Sequence, residues 1–259
     1  MTDPTPGPPS LMGIFAHPDD ESLLAGGVLA QHAAAGARTA VVTATWAPGS
    51  RRVPELADAL AVLGAGAPRL LGYGDARDPE AAPGGTRLVD APLDEAVGRL
   101  VAHLRDFRPD VVVTHDAVGQ LTGHPDHVRT HRIALLATEA AGHAGLYPGA
   151  GPPWRPSALY AATHSRSGTG PLGPLLEAVG KSVLAVDDAY VTTRVDVMPW
   201  VGVKWRAILA HRGEVARERP LPGVYARLPE AERLRILRFE EFTRIGLGPA
   251  PVAPDRLTV

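Results

Sequence analysis

The chain has 259 residues, of which 45% are hydrophobic and 5% aromatic, and its formal net charge is −2. This length allows one substantial core, and the balanced charge argues against nucleic-acid binding. The sequence has no cysteine, which excludes disulfides and thiolate metal sites, and no apolar run approaches the roughly 20 residues of a membrane helix. Because the Pro-rich N-terminus lacks a signal-peptide pattern, we expect a cytoplasmic protein.

Strands and helices alternate along the first half of the chain. Apolar runs predict strands at 11–16, 38–45, 68–73 and 110–114. Segments with helical spacing of their apolar residues, or with helix start and stop signals, predict helices at 21–36, 53–63, 92–107 and 125–141. This alternation predicts an α/β protein with a Rossmann-like, mostly parallel sheet flanked by helices.

The second half of the chain is less regular. We predict strands at 157–163 and 191–197, followed by helices at about 199–214 and 228–243. Residues 1–10 are expected to form a flexible leader and residues 246–259 a loose tail. Between them, residues 11–245 are predicted to form a single domain.

A first cluster of chemically active residues follows the first predicted strand, in the sequence His-Pro-Asp-Asp-Glu that starts at His17. Ligands of open α/β sheets bind at this edge. A dinucleotide site is disfavoured because no G-x-G-x-x-G motif occurs there and carboxylates repel phosphate. Gly26 and Gly27 lie inside the first predicted helix, where they are better explained by close helix packing.

A second cluster, with His124, Asp126 and His127, follows the strand at 110–114. Either cluster alone could simply cap a helix. Because both clusters lie at strand exits, we favour the interpretation that they are the two halves of one metal site. Its ligands would be two imidazoles and one carboxylate, from His17, His127 and Asp20. That donor set suits catalytic Zn²⁺, and it also suits Fe²⁺ in an oxygenase, which oxygen consumption would reveal.

The order of these motifs, A-H-P-D-D-E after the first strand and G-H-P-D-H before a helix, resembles the LmbE/PIG-L family of zinc-dependent N-deacetylases. The likeness extends over roughly residues 11–214. It includes three further segments: Arg52-x-x-Glu55-Leu56, Leu71-Gly72-Tyr73 followed by Asp75, and a late helix with Lys204, Ala207 and His211.

The resemblance implies a role for each residue of the two motifs. Asp19 would be the general base, and His124 would stabilise the oxyanion or protonate the leaving group. Asp126 would orient His124 and raise its pKa. The metal ligands would be His17, Asp20 and His127. In the loop after the third strand, we expect substrate contacts from Asp75 and Arg77, although Arg77 is equally well explained as a solvated charge.

The implied activity is removal of an acetyl group from an N-acetylglucosaminyl-type small molecule, such as a sugar conjugate or a secondary-metabolite precursor. Two alternatives stay open: an amidase that cleaves a larger acyl group, and a catalytically silent sugar-binding protein. Binding alone requires neither Asp19 nor His124, which argues against the silent protein. The expected partner is the amino-sugar conjugate, without nucleic acid or membrane, and the protein could form a homo-oligomer.

Overall fold

A computed structural model describes residues 7–246 of the protein. The strands are β1 (Leu11–Phe15), β2 (Thr39–Thr45), β3 (Arg69–Tyr73), β4 (Val111–His115), β5 (Ala158–Thr163), β6 (Thr193–Asp196) and β7 (Phe239–Ile245). The helices are α1 (Asp20–Ala34), α2 (Arg52–Leu63), α3 (Leu93–Phe107), α4 (Pro125–Ala141), α5 (Gly173–Ala178), α6 (Val201–Ala210), α7 (Arg212–Val215), α8 (Leu221–Ala226) and α9 (Glu230–Leu237).

The strands form one seven-stranded sheet in the order β3-β2-β1-β4-β5-β7-β6. Strands β1 to β5 are parallel, whereas β7 is antiparallel to both β5 and β6. The predicted α/β class, with a mostly parallel sheet flanked by helices, is confirmed. The chain proceeds outward from β1 to β3 and then returns to the other side of β1 through β4. This reversal opens a crevice beyond the carboxyl ends of β1 and β4.

Alternate residues of β1 pack into two cores on opposite faces of the sheet. Leu11 and Phe15 pack in the core that contains buried residues of α1, α2 and α6. Met12 and Ile14 point the other way, into the core formed with α3 and α4. This alternation follows from the two-residue period of a strand, and both faces are apolar because helices cover both.

The C-terminal part differs from its prediction. The predicted helix at 228–243 is correct only over α9, which ends at Leu237, and is wrong beyond it, where the chain continues as β7. The side chains of Glu240 and Phe242 are buried in β7, a spacing of two that matches a strand. The predicted helix at 199–214 is interrupted at His211, between α6 and α7.

Glu240 is buried because it has charged and polar partners. Its carboxylate accepts hydrogen bonds from Lys204 Nζ at 2.6 Å and from the backbone N–H groups of Gly27 and Val28 at 2.7 and 2.9 Å. A Cβ atom at Gly27 would lie 2.4 Å from the Val197 side chain. The glycine therefore permits close packing on α1, as predicted.

The ends of the chain were predicted to be a leader and a tail. Residues 1–6 and 247–259 lie outside the described residues, and the tail prediction falls almost wholly on them. Within the leader prediction, Ser10 is buried and its N–H donates to the Asp110 carboxylate at 2.8 Å. Among residues 7–246, no helix has the length and apolar character that a membrane span requires.

Candidate metal centre and active site

The two predicted clusters meet in the crevice beyond β1 and β4. His17 follows β1, and Asp20 is the first residue of α1. His124 is the residue that precedes α4, and His127 lies in the first turn of that helix. Because β1 and β4 are neighbours in the sheet, residues more than 100 positions apart in sequence come into contact.

His17, Asp20 and His127 contact one another pairwise. His17 Nδ1 lies 3.1 Å from His127 Nε2 and 3.3 Å from Asp20 Oδ2, and His127 Nε2 lies 3.4 Å from Asp20 Oδ1. Bonds of about 2.05 Å to a tetrahedral zinc ion set neighbouring ligand atoms about 3.3 Å apart. The donor types and their spacing therefore fit a divalent metal ion such as zinc.

Neighbouring residues extend this cluster of potential ligands. Within the described part of the chain, the groups whose donor atoms could hold a metal are His17-His124-His127, His17-Asp75-His124-Asp126 and Asp20-His115-His127. His127 is shared by the first and the third group, and none of the groups contains His17, Asp20 and His127 together. The His115 ring stacks on His127 with centroids 4.1 Å apart, and its Nε2 accepts the Ala16 N–H at 2.9 Å. Because His115 Nε2 already accepts this backbone hydrogen bond, we do not count His115 among the metal ligands. Its ring instead packs against His127.

The second nitrogen of His17 faces two carboxylates. His17 Nε2 lies 3.1 Å from Asp75 Oδ2 and 3.2 Å from Asp126 Oδ2. Burial alone lowers the pKa of His17, but hydrogen bonds to Asp126, Asp20 and Asp75 outweigh burial and hold that pKa well above its ordinary value. With Nε2–H donating to these carboxylates, Nδ1 is the nitrogen available to a metal ion.

Asp126 contacts His17 more closely than it contacts His124. Its Oδ2 also accepts the Ala76 N–H at 2.8 Å, whereas it lies 3.8 Å from His124 Nδ1, beyond hydrogen-bonding distance. The orientation of His124 comes instead from its own helix cap: its Nδ1 accepts the Asp126 backbone N–H at 3.3 Å. Burial lowers the pKa of His124 to about 4. A neutral ring with Nδ1 as acceptor carries its proton on Nε2.

Asp19 stands beside the cluster in an unusual backbone conformation, with φ 123° and ψ −28°. Its carboxylate pairs with Arg52 at 3.1 Å, and Arg52 also donates to the Pro18 carbonyl. Burial raises the pKa of Asp19 to about 7, against the opposing effect of Arg52 and with the further effect of Asp20. A carboxylate with a raised pKa can accept a proton near neutral pH.

The two predicted substrate contacts occupy different environments. Asp75 is buried against His17, and its Oδ1 accepts the backbone N–H groups of Arg77 and Asp78 at 2.6 and 3.1 Å. The Arg77 side chain is exposed in the loop that follows β3. This loop lines a surface depression of about 260 Å³ beside the cluster.

Sequence reasoning assigned no role to several residues of the site. His115 is the last residue of β4, and a polar residue at the end of a buried strand could have indicated it. Arg52 and His211 were noted only as parts of family-like segments, and their contacts with Asp19 and Glu21 join distant parts of the chain.

Comparison with known proteins identifies the family of the chain. A family model described as GlcNAc-PI de-N-acetylase, PIG-L, matches residues 12–138. The 1D-myo-inositol 2-acetamido-2-deoxy-alpha-D-glucopyranoside deacetylase of Rhodococcus erythropolis is 38% identical, covering 79% of this chain and 81% of that protein. The protein of the same name from Mycobacterium sp. strain KMS is 36% identical, covering 80% of this chain and 75% of that protein.

Solved structures share the fold at lower identity. The conserved protein TT1542 of Thermus thermophilus has a TM-score of 0.65 and 23% identity, covering 96% of this chain and 100% of that chain. N,N'-diacetylchitobiose deacetylase of Pyrococcus horikoshii has a TM-score of 0.62 and 17% identity, covering 91% of this chain and 83% of that chain. A 4-carboxy-2-hydroxymuconate hydratase, GalB, has a TM-score of 0.59 and 18% identity, covering 96% of this chain and 100% of that chain. The fold therefore hosts more than one reaction.

Proposed function

Because the chain belongs to the PIG-L family of GlcNAc-PI de-N-acetylases, we propose that it is a metal-dependent hydrolase that removes the acetyl group from an N-acetylglucosaminyl small molecule. The observation that carries this proposal is the contact of His17, Asp20 and His127, with Asp19 next to Asp20 in the sequence. A hydrolase of an unactivated amide requires a Lewis acid and an adjacent base, and this cluster offers both.

We assign the metal ligands as His17 Nδ1, Asp20 and His127 Nε2, and the metal as zinc. Two imidazoles and one carboxylate, with room for one further ligand, are typical of catalytic zinc, although Fe²⁺ accepts the same donors. When bound, such an ion polarises the amide carbonyl and lowers the pKa of water. Elemental analysis of the purified protein tests the assignment, and iron as the metal in active protein would contradict it.

The remaining steps belong to side chains of the protein. Asp19 accepts the proton of the attacking water and later delivers it to the departing amine. The Nε2–H of His124 donates to the oxyanion that develops on the carbonyl oxygen. Asp126 and Asp75 hold His17 through its Nε2, and the bond from the Asp126 N–H to His124 Nδ1 fixes the tautomer of His124.

The substrate class follows from the relatives that match most of the chain, whose names specify an N-acetylated glucosamine joined to inositol. We propose a conjugate of this type, with Arg77 at the rim of the site contacting the part of the molecule beyond the amino sugar. Both the cytoplasmic location and self-association into a homo-oligomer are proposals as well, which cell fractionation and size-exclusion chromatography would test.

Acetate release from metal-replete protein tests the function. We expect release from 1D-myo-inositol 2-acetamido-2-deoxy-alpha-D-glucopyranoside, with N,N'-diacetylchitobiose as a second N-acetylated substrate. The same compounds with longer N-acyl chains test for an amidase. Faster cleavage of the longer acyl chains would show that the protein is an amidase for larger acyl groups rather than a deacetylase. Binding of these sugars without acetate release would indicate a silent binding protein.

A further inference from the structure

Hydrogen bonds to both the N–H and the C=O of Asp19 hold its strained backbone conformation. A φ of 123° is rare for any residue other than glycine, and such a conformation persists only where the surroundings enforce it. The Asp19 N–H donates to Glu21 Oε2 at 2.9 Å. Its carbonyl accepts the N–H groups of Ser22 and Leu23 at 3.1 and 3.0 Å. The Glu21 carboxylate is thus the side-chain group that holds the Asp19 N–H in place.

Glu21 is held in turn by a residue 190 positions away. Its Oε1 accepts the Ser22 hydroxyl at 2.6 Å and His211 Nε2 at 2.7 Å. Both the Glu21 and the His211 side chains are 0% exposed. A buried carboxylate without partners is strongly unfavourable, so the imidazole of His211 largely determines where this carboxylate can stay.

His211 lies at the junction of α6 and α7, and this junction approaches Asp19 by two routes. One route runs from His211 through Glu21 to the Asp19 backbone. The other runs from Glu214, 3.7 Å from Arg52, to the Asp19 carboxylate, which Arg52 contacts at 3.1 Å. The first route fixes the backbone of Asp19, and the second fixes the position of its carboxylate.

We propose that His211 is a positioning residue that holds Asp19, through Glu21, in the backbone conformation that Asp19 adopts next to the proposed metal ligand Asp20. This inference rests on the proposed role of Asp19 as the general base. The hydrogen bond of His211 goes to Glu21 rather than to a metal ligand, so its effect on the reaction is indirect.

Two similar substitutions test this role. In His211→Gln an amide N–H can still reach Glu21, whereas the shorter side chain of His211→Asn cannot. We expect His211→Asn to lower kcat for acetate release by about 10²-fold, because small misplacement of a reacting group costs about that much. KM and metal content should stay near those of the unsubstituted protein, and His211→Gln should recover most of kcat.

Lys204→Met is the matched control, because it breaks a buried ion pair between α6 and β7, that of Lys204 with Glu240, which does not contact Asp19 or Glu21. It should lower the melting temperature while kcat of the folded protein is preserved. Equal kcat losses in His211→Asn, His211→Gln and Lys204→Met would show only general destabilisation and would overturn the inference.

A double-mutant cycle separates positioning from stability. If His211 acts through Asp19, then His211→Asn should cost little further activity in the Asp19→Asn background. The same fold loss in both backgrounds would overturn the proposal. Full activity of Asp19→Asn would instead contradict the general-base role of Asp19.

Hydrogen exchange of the Asp19 amide gives a test without substrate. The exchange rate should rise in His211→Asn and stay unchanged in Lys204→Met and His211→Gln. Unchanged protection in His211→Asn would overturn the inference, whatever the enzyme's activity. Absence of acetate release from unsubstituted protein would count against the proposed function alone.

Discussion

The Oδ2 atom of Asp75 lies 3.1 Å from His17 Nε2, the ring nitrogen opposite the one that faces His127. The sequence predicts Asp75 as a substrate contact, and this contact would also let its carboxylate orient the proposed metal ligand His17.

Replacing Asp75 with Asn is therefore expected to weaken metal binding by about 10- to 100-fold, since outer partners of metal-binding histidines typically contribute that much. Competition with a chromophoric chelator measures the affinity. Asp78→Asn is the control, because the Asp78 carboxylate pairs with the exposed Arg51. A raised KM with unchanged metal affinity would return Asp75 to substrate binding.

Asp20→Ala and His127→Ala should each abolish stoichiometric metal binding, because two remaining ligands hold zinc poorly in an open site. Elemental analysis after gel filtration gives the metal content. His143→Ala, at an exposed histidine that pairs with Glu139, should keep full occupancy. Full occupancy in either of the first two variants would remove that residue from the ligand set.

Asp19→Asn should keep the metal and lose about 10²- to 10⁴-fold in kcat, the usual contribution of a general base. Its amide can still occupy the place of the carboxylate but cannot accept the proton of water. Asp58→Asn, at an exposed carboxylate paired with Arg212, is the control. Near-normal turnover of Asp19→Asn would require a different base.

His124 is expected to act as a neutral hydrogen-bond donor, because its Nδ1 is occupied by the Asp126 N–H. His124→Ala should lower kcat by roughly 10²- to 10³-fold, as loss of one oxyanion donor does. His124→Gln, which keeps a donor, should retain more activity. Equal losses in the two variants would indicate that His124 works as a charged acid rather than as a donor.

Two histidines away from the site, one buried and one half-buried, should make the fold sensitive to mild acid. Burial lowers the pKa of His32 and of His103, so the unfolded chain binds protons more readily than the folded protein. The free energy of unfolding should therefore fall as pH drops below about 6.5, the pKa of an unperturbed histidine. Melting temperatures between pH 7.5 and 5 measure this, and His32→Gln should flatten the dependence. A melting temperature that rises over this interval would contradict the prediction.

Local patterns predicted the first half of the fold well, because β1, β2 and β4 are buried throughout and the helices have recognisable limits. The predicted helix at 125–141 coincides with α4, since Pro125 suits a first helical turn and His124 caps it. The pairing of β7 with β5 and β6 escaped prediction because its charged sequence suits a helix, and only distant partners make Glu240 a buried strand residue.

The site was predictable to the extent that its residues lie within the two motifs. The contact of His17, Asp20 and His127 follows from the adjacency of β1 and β4, a strand order that the alternation of elements alone does not specify. The functions of Arg52, His115 and His211 depend on tertiary contacts over 34 to 190 residues, and no local pattern encodes such contacts.

The hydrogen bonds from the Gly27 and Val28 N–H groups to Glu240 have a consequence for synthesis of the protein. These residues are separated by 213 and 212 positions, so α1 leaves the ribosome long before the carboxylate that receives its N–H groups. At 5–20 residues per second, that interval is roughly 10–40 s. The helix that begins with Asp20 is thus secured only after Glu240 has been synthesised. A nascent chain shorter than about 240 residues holds the sequence motifs of the site without the strand that anchors its first helix.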